Sequence, residues 1–187
     1  MKRFEVELRG STAYLMDRFP EDALENNVRK RSGGQMQADA NYDSKFYRTS
    51  NGKPYVPSNQ VLGCLVNAGK ELRVVGRGKK NYSTIFASTV DIRPEEVPIK
   101  SETPYPYKIS GVNPTTKTRV MIVRPRFEKW SLKFEMQCED DQVPGEVIEE
   151  GLHIGGKSVG IGAWRPNKRG RFGKFEVIKF KELKNGK

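Results

Sequence analysis

Cysteine and histidine are nearly missing from this chain of 187 residues, which has two of the first and one of the second. Cys64, in VLGCLV, and Cys138, at the end of an alternating stretch, both lie among apolar neighbours. Two buried thiols in a reducing cytoplasm are therefore expected, not a secreted disulfide framework. One histidine and two separated cysteines cannot supply four zinc ligands, which excludes a zinc finger or knuckle. Metal binding through carboxylates stays open. Long apolar runs are lacking as well. No stretch of about 18 apolar residues exists, no basic amphipathic helix is evident, and MKRFEVELRG has no signal-peptide core, so no membrane partner is expected.

Acid is the third scarcity. Lys and Arg number 34 against 23 Asp and Glu, a formal charge of +11. From Gly155 to Val177, GGKSVGIGAWRPNKRGRFGKFEV holds no acid before Glu176. Such an excess points to a polyanionic partner, nucleic acid ahead of an anionic membrane surface. A basic adaptor or inhibitor that docks on a protein's acidic surface has the same bulk composition, so charge alone does not separate the two classes.

The chain is long enough for one domain, 1–187, with a real core. RFEVELR alternates Phe4, Val6 and Leu8 with charges, a half-buried strand. PEDALENNVRK reads as a short helix in a long polar stretch. PYVPSNQVLGCLVNAGKELR reads as a turn and a helix, started by Pro57 and Ser58, with Val61, Leu62, Leu65, Val66 and Leu72 on one face. YSTIFASTVDI is β-branched and aromatic, which predicts a second strand. KWSLKFEMQC places Trp130, Leu132, Phe134, Met136 and Cys138 on one face of a third. PGEVIEEGLHIGGK predicts a helix closed by Gly155 and Gly156. KFEVIKFKEL gives the last strand, its doublet Val177–Ile178 marking a bulge. Strand, helix, strand, insertion, strand, helix, strand is the order of a ferredoxin-like α+β fold, βαββαβ, shared with RNA-recognition modules. The insertion, 93–126, is expected to project as a β-hairpin arm with its tip near GVNPTTKT.

Glycines let a nucleic-acid strand approach the main chain and leave N–H groups for phosphate oxygens. In the glycine-rich loop Arg165, Lys168, Arg169 and Arg171 are placed to neutralise phosphates, and Trp164 and Phe172 to stack on unpaired bases. A dinucleotide-binding reading of GIGAWR fails, because that motif lies between a strand and a helix and here the order is reversed. At PSNQ a helix N-terminus offers free N–H groups over Ser58, Asn59 and Gln60, for a phosphate or for plain capping. Arg73, Lys79 and Lys80 in RVVGRGKKNY extend the basic surface. In the arm, Tyr105, Tyr107, Lys108, Lys117, Arg119, Arg124 and Arg126 supply rings and cations.

Three stretches resemble the RAMP superfamily of CRISPR-associated proteins, above all the crRNA-binding backbone subunits of type I and type III effector complexes. NGKPYVPSNQVLGCLVNAGKEL is similar to that branch's turn-and-helix signature at Tyr55, Pro57, Ser58 and Gly63. YDSKFYR resembles the segment that precedes this signature in the type III version. Gly160, Gly162, Gly170 and Gly173 resemble the superfamily's C-terminal glycine pattern. The likeness fits a stand-alone or mobile-element-encoded relative as readily as a CRISPR subunit.

The resemblance implies single-stranded RNA as partner, a guide RNA and its target, with self-association along RNA or companion effector subunits, and no resident cofactor. It also implies a β-hairpin thumb that folds over the guide. At Asp43 it implies an alternative function: metal-dependent cleavage of RNA, with a carboxylate helping to hold Mg²⁺ or orient a 2′-hydroxyl. His153 raises the metal-independent ribonuclease of the same superfamily, but it lies in the second helix, where a histidine near a C-terminus is favoured by the dipole.

Overall fold

In the computed structural model, residues 1–19, 42–112 and 117–183 are described. The helix expected in PEDALENNVRK lies outside them. The strands are β1 (Lys2–Gly10), β2 (Tyr14–Leu15), β3 (Tyr55–Pro57), β4 (Val90–Arg93), β5 (Glu96–Ser101), β6 (Tyr105–Val112), β7 (Arg119–Phe127), β8 (Trp130–Cys138) and β9 (Phe175–Leu183). The α-helices are α1 (Ser58–Ala68), α2 (Ser83–Thr89) and α3 (Gly145–Ile154). The protein is a mixed α+β structure with antiparallel sheets.

The main sheet runs β3-β5-β8-β1-β9, and β4 also pairs with β8. One flank of β8 is taken by β1 and the other is shared: β5 pairs near Leu132 and β4 near Met136. Alternation sends Phe4, Val6 and Leu8 of β1, and Leu132, Phe134 and Met136 of β8, to the buried face. There they meet Val61, Cys64, Leu65 and Ala68 of α1 and Ile148 and Leu152 of α3. Each such side chain contributes roughly 1.5–3 kcal/mol through burial. At the β1–β9 junction Glu7 faces Lys179 but Leu8 faces Val177, so Ile178 is the extra residue of a bulge, where the sequence marks it.

One element differs from its sequence reading. YSTIFASTVDI is expected as a strand, yet residues 83–89 form α2 and only Val90–Arg93 is extended. Tyr82 and Phe86 recur at helical spacing, their rings stacked 4.7–5.5 Å class apart at 5.5 Å, and Phe86 is fully buried. That burial outweighs the weak strand preference of Thr, Ile and Val. A second difference concerns Gly155 and Gly156. Instead of ending the chain's coiling, they open a π turn, Gly155–Val159, that extends α3. Their lack of side chains lets this turn sit against Cys64 and Phe175.

The proline-rich insertion divides. Its first part, β5, belongs to the main sheet, while β6 and β7 form a hairpin with register Tyr105↔Arg126 to Val112↔Arg119. The expected tip includes residues 113–116, outside the described set. A second sheet, β2-β7-β6, fastens this arm to the body. Tyr14 is the rivet: its buried ring lies 5.8 Å from Phe127 and 5.7 Å from Trp130.

Candidate nucleic-acid interface

The solvent face of the main sheet does not carry the stacking aromatics of an RNA-recognition module. Its central strands present Arg3, Glu5, Glu7 and Arg9 beside Ser131, Lys133, Glu135 and Gln137. These charges pair internally, Arg3 with Glu135 at 2.6 Å and Glu5 with both Lys133 and Lys179. Hydrogen bonds from those two lysines hold the Glu5 carboxyl down at about 2. A face that neutralises itself offers little to a polyanion.

The cations without such partners gather elsewhere. After the π turn, the glycine-rich loop folds back as two limbs. The Ile161 N–H donates to Gly173 O at 3.0 Å and the Phe172 N–H to Trp164 O at 3.1 Å. Both limbs rest on the β2 segment, through Ala163 N–H to Leu15 O at 2.9 Å and Gly173 N–H to Ala13 O at 2.8 Å. The glycines serve this self-packing. Gly162 has φ 77° and lies against the Tyr14 ring, and Gly173 has φ 70° and lies against the Ile161 carbonyl, with no room for a Cβ at either. The sequence reading, in which glycine makes way for an outside strand, is corrected here: at these positions glycine makes way for the protein itself.

Between β6 and this loop runs a groove of about 490 Å³. Tyr107 and Ile109 form one wall, and Trp164 and residues 168–172 form the other. Lys168, Arg169 and Arg171 are exposed on its rim, and none has an acidic partner among the described residues. Trp164 is partly exposed and held at φ 50°, a left-handed backbone unusual for a bulky residue. The Arg124 guanidinium lies over its ring, 4.9 Å from the centroid, and pairs with Asp17 at 2.8 Å. Arg126 lies over Tyr107 and Phe172 at 5.0 and 5.5 Å and pairs with Glu128 at 2.7 Å. Arg124 Nη1 and Arg126 Nε are buried without a hydrogen-bond acceptor, so ring faces stand in for acceptors there.

Two expected contacts change character. Phe172 is buried, 5% exposed, with Tyr107 edge-on at 5.5 Å, so it is a wall post and no open stacking face. Arg165 turns inward: its Nη1 donates to Gly162 O at 2.9 Å, and its charge reaches Cys64, whose thiol burial pushes up to about 12. Both residues shape the loop from within.

Other expected residues fall at several distances from the groove. Gln60 Oε1 accepts a hydrogen bond from the Tyr14 hydroxyl at 3.0 Å, which links the PSNQ turn to the loop through Tyr14 and Gly162. Asn59 is exposed beside it. Ser58 is buried, and its N–H is already given to Glu95 O at 2.8 Å; no side chain caps α1. Arg73, Lys79 and Lys80 sit past the opposite end of α1, about 16 Å of helix away, in a loop closed on itself by Arg73 Nη1 to Lys79 O at 2.9 Å. Lys117 and Arg119 are exposed at the outer end of the arm, Arg119 opposite Val112.

Asp43 opens a 3₁₀ turn, its side chain 86% exposed and paired with Arg48 at 3.4 Å. No cluster of His, Cys, Asp or Glu able to hold a metal ion occurs among the described residues, so Asp43 and its neighbours do not fit Mg²⁺. His153 is exposed in the last turn of α3. Sequence reasoning missed Asp17, which binds Lys45 at 2.9 Å as well as Arg124; the only signal is an acid directly after the apolar run Tyr14–Leu15–Met16.

No protein-family model matches the chain, and no curated protein matches it. Among the described residues no helix is long and apolar enough to cross a membrane.

Proposed function

We propose that this protein binds single-stranded RNA in the manner of the RAMP superfamily, as a cytoplasmic guide-type RNA binder that assembles along its RNA or with companion subunits. One observation carries the reading: three unpaired cations, Lys168, Arg169 and Arg171, rim a ring-walled groove formed by the arm and the glycine-rich loop. Cations beside ring faces are the combination that unstructured strands use, phosphates on one and bases on the other. The ferredoxin-like reading is supported by the strand order β9-β1-β8-β4, the first and third strands central and α1 and α3 on one face. Contacts run mainly to the sugar–phosphate chain, so sequence preference is small.

The deciding experiment is the affinity for an unstructured RNA as a function of salt. Neutralising about five phosphates gives a log–log slope of roughly −3 to −4. A flat response, or no binding, removes the RNA reading and favours an adaptor for an acidic protein surface.

A further inference from the structure

We propose that the groove between β6 and the glycine-rich loop holds the phosphorylated end of an RNA strand: one terminal nucleotide with its phosphomonoester. The inference rests on the RNA-binding reading and narrows it to one ligand.

The groove is blind. Its walls touch where Tyr107 meets Phe172 edge-on at 5.5 Å, and again where Arg124 covers Trp164 at 4.9 Å. Arg126, lying against Tyr107 and Phe172, fills the floor behind them. A polynucleotide has no path between walls that are in contact, so what enters must stop there. The volume, about 490 Å³, lies in the range of small-ligand pockets and suits a single nucleotide better than a run of them.

Charge selects the kind of nucleotide. Lys168, Arg169 and Arg171 lie within four consecutive positions, and none has a carboxylate partner among the described residues. Elsewhere the pattern is different: Arg3, Arg48, Arg93 and Lys133 each face an acid within 4 Å. An internal phosphodiester carries one negative charge, which three cations overmatch. A terminal monoester carries close to two at neutral pH and presents three acceptor oxygens. Trp164 and Tyr107 supply ring surface for the attached base, and the buried guanidinium groups behind them keep the floor positive.

The test uses one uridine-rich RNA of about ten nucleotides in four forms: 5′-phosphorylated, 3′-phosphorylated, hydroxyl at both ends, and covalently closed. The expected result is that one phosphorylated form binds about tenfold tighter than the hydroxyl-ended and closed forms. Arg169→Ala with Arg171→Ala should erase that preference while an unchanged melting temperature shows the fold intact. Uridine monophosphate, but not uridine, should compete with the preferred form, and weaker competition than by the RNA itself marks a strand end over a free nucleotide as the ligand. Equal binding of all four forms, the closed one included, overturns the inference and leaves RNA binding standing. Failure of every form to bind overturns both.

Discussion

Arg124 stands between Asp17 and Trp164, its Nη2 2.8 Å from the Asp17 carboxylate and its guanidinium 4.9 Å from the Trp164 centroid. One side chain thus joins the arm, the segment after β2 and the glycine-rich loop. Replacing Trp164 with alanine removes the ring from the groove and leaves Arg124 anchored on one side only. RNA affinity should fall about tenfold, the scale of one lost base stack, as read by fluorescence anisotropy.

Asp17→Asn tests the other half of that relationship. It strips the counter-charge from Arg124, only 13% exposed, and from Lys45. Leaving a mostly buried guanidinium poorly paired should cost about 1–3 kcal/mol in urea unfolding. A variant as stable as the parent would mean that the arm is held by its apolar contacts alone.

Alanine at Lys168, Arg169 and Arg171 together should flatten the salt dependence by about 2 log–log units, near 0.7 per lost phosphate contact. All three are exposed, so the thermal midpoint should hardly move. An unchanged slope would place the polyanion off this groove.

Glycine positions give a paired prediction. Gly173→Ala must accept φ 70° and a Cβ against the Ile161 carbonyl, and should destabilise by about 3 kcal/mol. Gly52→Ala meets φ 74° but open space, and should cost only about 1–2 kcal/mol. Equal losses at the two sites would show that backbone conformation, not close approach, governs the loop.

The acid limb of stability should report Glu5. Its carboxyl sits at about 2 instead of 4.5 because Lys133 and Lys179 hydrogen-bond it. A lowered folded-state value means stabilisation that is present above about 4.5 and lost as pH falls toward 2. Glu5→Gln should therefore narrow the loss of stability across that window and leave the neutral side less affected by pH.

Much of this architecture was legible because it rests on local period. The alternations in RFEVELR and KWSLKFEMQC are β1 and β8, the Val177–Ile178 doublet is the bulge, and the apolar face from Val61 to Val66 is α1. α2 was hidden because the β-branched residues of YSTIFASTVDI favour a strand locally, while the burial of Phe86 that decides the matter is tertiary. The site was legible in composition and illegible in arrangement. Lys168, Arg169, Arg171 and Trp164 announce themselves as a basic, aromatic loop, but nothing nearby in sequence says that Phe172 and Arg165 turn inward. Asp17 pairs with a residue 107 positions away, a relationship no local pattern records.

The irregularity at Ile178 has a consequence for how copies of this chain can meet. β9 closes one rim of the main sheet, with β1 as its sole ladder partner among the described residues. A rim interrupted midway by a supernumerary residue gives a poor template for an incoming extended segment, since donors and acceptors fall out of step on either side of it. Fibrous accretion through that rim is thereby discouraged. Copies brought close on a shared polyanion can crowd together there without zipping into one continuous ribbon.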